Sequence, residues 1–180
     1  RPIQKDDLSK LYIWMNDYEG VLRFLTTRYP NFLEDEEAWY ENMRKNKKSD
    51  VVFAIVKSDT HEMIGVMGLH RIDHINGTAT TGSFIGDECN RSKGYATEAK
   101  MLVLRYAFNT LNLRKICSHV FATNPRSMRV LEKSGYVQEG ILKEHKFIDG
   151  SYVDEHVFAV FRNSFAPLWQ KFAEKILNKR

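Results

Sequence analysis

The residues best suited to chemistry in this chain lie in one short run, Cys89-Asn90-Arg91-Ser92-Lys93-Gly94-Tyr95-Ala96-Thr97-Glu98-Ala99. Lys93-Gly94 falls where a strand-like segment gives way to a helical one. Backbone N–H groups left free at the helix start, the positive end of the helix dipole, and the Arg91 and Lys93 side chains therefore converge on one small volume. Such a volume suits a phosphate. A glycine turn of this kind also serves as a plain helix start, so the run by itself leaves both readings open.

The elements that position this turn are legible in the flanking periodicities. Residues 79–86, ATTGSFIG, read as a strand, and from Tyr95 to Asn109 apolar side chains recur with helical spacing at Ala96, Ala99, Leu102, Val103, Tyr106 and Ala107. Gly82 and Gly86 in the strand fit a bulge or a close backbone approach, or simply relieve crowding. Upstream, an acidic start at Asp6-Asp7 opens a short amphipathic helix through Leu8, Leu11, Tyr12 and Met15. Glu34 to Lys45 reads as a second helix, with Trp39 and Met43 on its apolar stripe. Val51 to Val56 predicts a strand buried on both faces. A strand from Glu62 to Arg71 follows, turning at His74-Ile75-Asn76-Gly77. Three successive antiparallel strands thus precede the basic turn.

Downstream, Lys115 to Phe121 returns as a strand, and strand, helix, strand at this length implies a parallel pair with a right-handed crossover. Asn124-Pro125 predicts the start of another helix, ending at Ser134-Gly135. Residues 136–147 and 151–160 read as strands joined by a turn at Asp149-Gly150. The order predicts an α/β fold with a single mixed, largely antiparallel sheet and helices on both faces.

The run Arg91-Ser92-Lys93-Gly94-Tyr95-Ala96-Thr97-Glu98-Ala99 resembles the acyl-CoA pyrophosphate loop of the GNAT superfamily of N-acetyltransferases, in its ribosomal-protein N-terminal acetyltransferase branch. Ile64-Gly65-Val66-Met67-Gly68-Leu69, Tyr106-Ala107-Phe108, Asn124-Pro125-Arg126-Ser127, Leu131-Glu132-Lys133-Ser134-Gly135-Tyr136 and Glu139-Gly140 resemble it in the same order. Ser92 stands where the loop commonly has glycine, though its amide can still donate. The resemblance, from about Arg1 to Phe161, implies an acyl-CoA N-acyltransferase fold with splayed central strands and a catalytic domain over residues 1–162. It makes Arg1 to Gln4 the edge of a first strand. It also implies acetyl-CoA as acyl donor, with the pyrophosphate on Arg91, Ser92, Lys93, Gly94, Tyr95 and Ala96 and the pantetheine along Phe84-Ile85. Asn124 would order pantetheine or water, and Ser127 would lie near the sulfur. One subgroup instead carries a tyrosine at the position occupied here by Leu131. Ser127 also reads as an ordinary first-turn serine. The activity implied is direct acetyl transfer to a primary amine, without a covalent enzyme intermediate.

Candidates for the proton acceptor are less sharply marked. His70 and His119 have suitable chemistry. Glu144 lies near where relatives carry a carboxylate, with Lys146 competing for that position; His74 and Asp73 are weaker candidates. An acceptor site is expected between residues 17–40 and the 144–153 hairpin. There Glu34, Asp35, Glu36 and Glu37 could attract a cation or simply start a helix, while Lys143, Lys146 and Arg28 oppose a strongly polycationic acceptor. Peptide amino termini therefore stand slightly ahead of polyamines and amino sugars. A noncatalytic acyl-CoA-binding protein is the alternative of another class.

With 180 residues, 43% hydrophobic and 28% charged, the chain suits one well-filled core. The 27 Lys+Arg against 23 Asp+Glu leave a net +4, enough to steer a polyanionic cofactor and too little to argue for nucleic acid. Arg91, Lys93, Lys100, Arg126, Arg129 and Lys133 gather near the proposed phosphate site, whereas Lys45, Lys47 and Lys48 read as a solvated helix end. Cys89 and Cys117 have no metal-site spacing and read as free thiols. No apolar run is long enough to span a bilayer, and the first residues lack a charged-then-apolar leader, so a cytoplasmic location without membrane or metal is expected. Phe165, Leu168, Trp169, Phe172, Ala173 and Ile176 predict an amphipathic helix within 163–180 that buries its stripe on the domain or on a partner subunit, as in a homodimer.

Overall fold

The computed structural model describes residues 1–46 and 48–177. A six-stranded sheet in the order β1-β2-β3-β4-β6-β5 runs through it. Strand β1 (Val51–Val56) pairs antiparallel with β2 (Met63–Asp73), Val51 opposite Leu69, and β2 pairs antiparallel with β3 (Thr78–Ile85), Val66 opposite Phe84. The β2–β3 turn carries Gly77 at φ +64°, the left-handed backbone that Asn-Gly turns supply. Helix α3 (Tyr95–Arg105) then crosses over to β4 (Lys115–Phe121), which lies parallel to β3. All seven residues of β4 pair antiparallel with β6 (Ser151–Phe161), and β6 pairs with β5 (Val137–Ile148). The turn of that last hairpin has Asp149 at φ +50° and Gly150 at φ +81°, as a tight primed turn requires.

Apolar residues divide between the two faces. Ile64, Met67, Leu69, Ala79 and Ile116 of the sheet pack with Met101, Leu104 and Phe108, with Leu131 of α4 (Pro125–Lys133), and with Phe165 of α5 (Arg162–Leu177). On the other face Val52, Ala54 and Met63 pack with Leu8, Leu11 and Trp14 of α1 (Leu8–Met15) and with Trp39 and Met43 of α2 (Leu33–Lys45). Helix α5 lies on the core of its own chain: Phe165 is buried, its ring 5.3 Å from that of Phe108, and the Arg105 guanidinium sits 4.8 Å from the Trp169 ring centre. Of the helix expected within 163–180, residues 178–180 lie outside the described residues, as does Lys47.

Two local expectations change. Arg1 to Gln4 contribute a single bridge, Pro2 opposite Phe53, with the Ala54 N–H donating to the Arg1 carbonyl at 2.9 Å. Pro2 has no N–H with which to extend the ladder. Strand β1 is the sheet's edge, its outer side met by that terminal segment. The α-helix starting at Tyr95 ends at Arg105 and passes into a π-type turn over Tyr106–Thr110 instead of running on to Asn109. Strand β6 lies between β4 and β5, so the strand nearer β4 is the later one in sequence, an order the sequence alone leaves open.

Phe165→Ala removes the buried aromatic side chain by which α5 is anchored in the core and should cost about 3–5 kcal/mol. Denaturant melts followed by circular dichroism should show the midpoint falling; a change below about 1 kcal/mol would mean that α5 does not contribute to the fold in this way.

Candidate active site

Strands β3 and β4 hold only three paired positions, Thr78 with Lys115, Ala79 with Ile116 and Thr80 with Cys117, and then separate. Beyond Thr80, β3 continues for five residues to Ile85 bonded on its β2 side alone, and β4 continues to Phe121 bonded on its β6 side alone. The facing edges, including Phe84 and Ile85, therefore border an open wedge. It is the centre of a cleft of ≈1860 Å³ that reaches from residues 91–97 at one end to α2 and the 145–146 segment at the other. An extended molecule carrying amide groups can pair with such an edge as another strand would.

The basic turn closes the wide end of the wedge. Ser92 at φ +60° and Gly94 at φ +90° coil the chain so that α3 starts at Tyr95. A Cβ on Gly94 would touch nothing within 4 Å, so the backbone angle, not crowding, calls for glycine there. Arg91 turns inward: its Nε donates to the Ile85 carbonyl at 3.2 Å and a terminal nitrogen donates to the Gly86 carbonyl. The guanidinium thus ties the turn to the end of β3, while Ser92, Lys93 and Gly94 are exposed. Ser92, Gly94, Tyr95 and Ala96 line the cleft. This turn, with its free amides and cationic rim, fits a pyrophosphate.

Helix α4 forms the next wall. The Asn124 side-chain oxygen accepts from the Ser127 N–H at 3.1 Å, the cap expected of Asn before Pro. Both side chains line the cleft. Leu131, one turn on, is 1% exposed and belongs to the core.

On the α1–α2 side of the sheet two histidine–carboxylate pairs flank the wedge. His70 Nδ1 lies 3.0 Å from Asp50, and its ring rests where a Cβ on Gly68 would stand 2.4 Å from Nε2 and one on Gly82 3.4 Å away. The close approach at Gly82 is thus made by the His70 ring. That at Gly86 is made by Trp14, whose indole would meet an added Cβ at 1.9 Å. Across the wedge, His119 Nδ1 lies 3.3 Å from Glu155, whose carboxylate is also approached by His145 at 3.7 Å and Lys146 at 3.8 Å. His70, His119 and Glu155 line the cleft. Glu144 does not share this site: it is exposed at φ +49° in an irregular stretch of β5, its N–H donating to Asp154 at 2.9 Å. His74 and Asp73 sit at the β2–β3 turn, where Asp73 accepts from the Ile75 and Asn76 N–H groups.

The acidic start of α2 separates into distinct roles. Asp35 accepts from the Phe32 N–H at 2.9 Å and Glu37 lies 4.0 Å from Lys5, but Glu36 is 6% exposed and lines the cleft. Asn31 donates to it at 2.6 Å, and burial raises its pKa against that hydrogen bond. No basic group in the described structure perturbs it.

Lys100 corrects the sequence reading, which grouped it with the phosphate-side bases. It is 2% exposed at the root of the wedge, its Nζ 3.3 Å from Thr81 Oγ1 and 5.7 Å from the Tyr136 ring centre. Thr81 Oγ1 also meets the Tyr136 hydroxyl at 2.9 Å, and Ser118 Oγ donates to the Thr81 carbonyl at 3.2 Å. Desolvation lowers the Lys100 ammonium to about 7 and pushes the Tyr136 phenol upward. Glu155, His145 and the buried state of Lys100 are the features that residue types alone did not reveal.

Residues 1–137 match the family model described as the acetyltransferase (GNAT) domain. The chain belongs to the GNAT acetyltransferase family. Within that family it is 30% identical to a Vibrio cholerae spermidine N(1)-acetyltransferase over 86% of this chain and 87% of the relative. An uncharacterized Bacillus licheniformis N-acetyltransferase, p20, is 32% identical over 63% of this chain and 64% of its own length. A crystal structure of Vibrio cholerae spermidine N-acetyltransferase in complex with CoA and spermine superposes with a TM-score of 0.85 at 25% identity, covering 92% of this chain and 95% of that one. The chain is accordingly an acetyl-CoA-dependent N-acetyltransferase, with the splayed mixed sheet of that fold. Among the described residues no group of His, Cys, Asp or Glu is arranged to hold a metal ion, and no helix is long and apolar enough to cross a membrane.

Because the folded state disfavours charged Lys100, Lys100→Met should stabilise the protein. The gain should be on the order of a few kcal/mol below about pH 7, where folded and unfolded wild type both carry the proton, and should shrink as pH rises toward the ordinary lysine range. Thermal melts of both proteins at pH 6 and pH 10 check this; a gain that grows with pH would contradict the assignment.

Proposed function

We propose that this enzyme acetylates a primary amine of a polyamine, with acetyl-CoA laid along the β3 edge and its pyrophosphate on 91–96. The observation that carries the acceptor is Glu36, a buried carboxylate on the cleft wall whose charge no basic group among the described residues offsets. A buried anion costs free energy until a cation joins it, so the site favours a ligand that brings its own positive charge. Glu155 on the opposite wall already has His119, His145 and Lys146 around it and would make a weaker second contact. The similarity to spermidine acetyltransferases supports the same order, which reverses the slight preference that residue charge alone gave to peptide amino termini.

In this reading the amine attacks from the α1–α2 side of the sheet and the proton it loses passes to His70, held by Asp50. The geometry supports His70 because Gly68 and Gly82 make room for its ring beside the wedge. Asn124 and Ser127 border the sulfur end from α4, Ser127 donating to the leaving thiolate. Arg91 holds the loop's shape, and Lys93 and the amides of Ser92, Gly94, Tyr95 and Ala96 meet the phosphates. Glu144 has no role in this arrangement. Self-association remains part of the proposal, with Phe147, Tyr152 and Val137 of the last hairpin offering exposed apolar surface.

Acetyl-CoA consumption across spermidine, spermine, peptides and amino sugars, with mass spectrometry of the products, tests the acceptor. N-acetylated polyamine should form fastest; preference for a peptide amino terminus over every polyamine would overturn the reading. Glu36→Gln should lower kcat/KM for the polyamine about tenfold or more while leaving KM for acetyl-CoA unchanged.

His70→Gln should lower kcat about 100-fold or more, as loss of a positioned general base does. Ser127→Ala should lower turnover more than acetyl-CoA affinity. Unchanged single-turnover rates in either variant would remove that residue from the chemistry.

A further inference from the structure

The proposed chemistry leaves Lys100 without a task, yet its placement is specific. It projects from α3 to the root of the wedge, at the level of Thr81 and Ser118, where β3 and β4 have just parted. It lines the cleft and makes its described hydrogen bond to Thr81 Oγ1, an uncharged partner. From Ile85, beside the basic turn, down to Thr81 is four steps along the strand, about 13 Å. A ligand anchored by its phosphates on 91–96 and extended along this edge brings its far end to Thr81 and Lys100.

We propose that Lys100 is a self-acetylation site, acetylated by the enzyme's own acetyl-CoA when no acceptor amine is present. This rests on the acetyl-CoA placement proposed above. His70 and the acceptor route lie on the α1–α2 side of the sheet, whereas Lys100 comes from the α3 side, so one thioester can face an amine from either direction. The Nζ lone pair attacks the thioester carbonyl carbon. The carbon–sulfur bond breaks with its electron pair going to sulfur, and the proton lost from Nζ ends on that sulfur. Coenzyme A leaves as the thiol and no other reactant is needed. Burial, which lowers the Lys100 pKa to about 7, keeps a large share of its amine neutral and nucleophilic, unlike an exposed lysine. Acetylation also removes a buried charge that the surroundings do not offset. The resulting amide would fill the root of the wedge, so the modified enzyme would bind acetyl-CoA less well and stall until replaced.

The test is incubation of the purified full chain with acetyl-CoA and no acceptor, followed by peptide mapping, alongside calorimetric titration of the same protein with acetyl-CoA and with CoA. Lys100 should be acetylated at least about tenfold faster than an exposed lysine such as Lys143, and added spermidine should slow it. Urea-unfolded protein should lose the difference, and Lys100→Arg should lack the modification while still binding CoA. If the wild type binds acetyl-CoA but Lys100 reacts no faster than Lys143, or keeps its advantage when unfolded, the proposal fails and the cofactor placement stands. If the wild type binds neither ligand, the cofactor placement itself fails and the self-acetylation falls with it.

Discussion

The rest of the structure depends on a parallel strand pair that stops after three residues. A sheet interior ordinarily leaves no backbone group unpaired, because each buried N–H or C=O without a partner costs free energy. Here the β2–β3 and β4–β6 ladders are longer, pairing 65–73 with 78–85 and 115–121 with 155–161, and each is antiparallel. Ladder pairing joins the two units at Thr78–Thr80 and Lys115–Cys117. The sheet is therefore two antiparallel halves meeting at a short parallel seam, and the open edges beyond it remain available to a ligand. The same parting of the strands exposes the start of α3 and the capped start of α4 to one cleft, so the proposed phosphate cradle and reaction centre lie on a single extended path.

Polar groups at the seam keep it from closing or opening further. Thr81, the first residue past the paired positions, takes contacts from Lys100, Tyr136 and Ser118, and its hydroxyl donates to the Cys117 carbonyl at 3.3 Å across the gap. Side chains thus replace the ladder at the point where it ends. That accounts for a lysine in the core: it projects from α3 beside the Tyr136 ring while its amine finds an oxygen, at the cost of a depressed pKa. On the other face Gly68 and Gly82 give up side chains so that His70 can lie flat against the strands. The two faces of the wedge are in this way chemically unlike, one lined by a buried amine and the other by imidazoles and carboxylates.

What sequence made legible was local. Asn76-Gly77 and Asp149-Gly150 fix their turns through backbone conformation, Asn124-Pro125 fixes a helix start, and Lys93-Gly94 marks a strand-to-helix turn. Each effect acts within a few residues, so composition reveals it. The insertion of β6 between β4 and β5 was not legible, since both strands alternate similarly and only tertiary pairing decides which lies inside. Glu155 gains its importance from that insertion, which carries it next to His119. Glu36 differed from Glu34, Asp35 and Glu37 only in the direction it faces on α2. Lys100 looked like one more base near a phosphate because charge is visible in a sequence and burial of a single residue is not. Glu144 stands exposed beside a register shift in β5, and no spacing argument registers a break of that kind.

The central claim is that the unpaired β3 edge and the turn following it form the acetyl-CoA site. Amide hydrogen exchange with and without saturating acetyl-CoA tests it most directly, because backbone groups are the proposed contacts. Protection should rise in residues 82–85 and 91–96 and change little in β1 or along the β5–β6 turn. Tight binding with exchange unchanged across 82–85 and 91–96 would contradict the account.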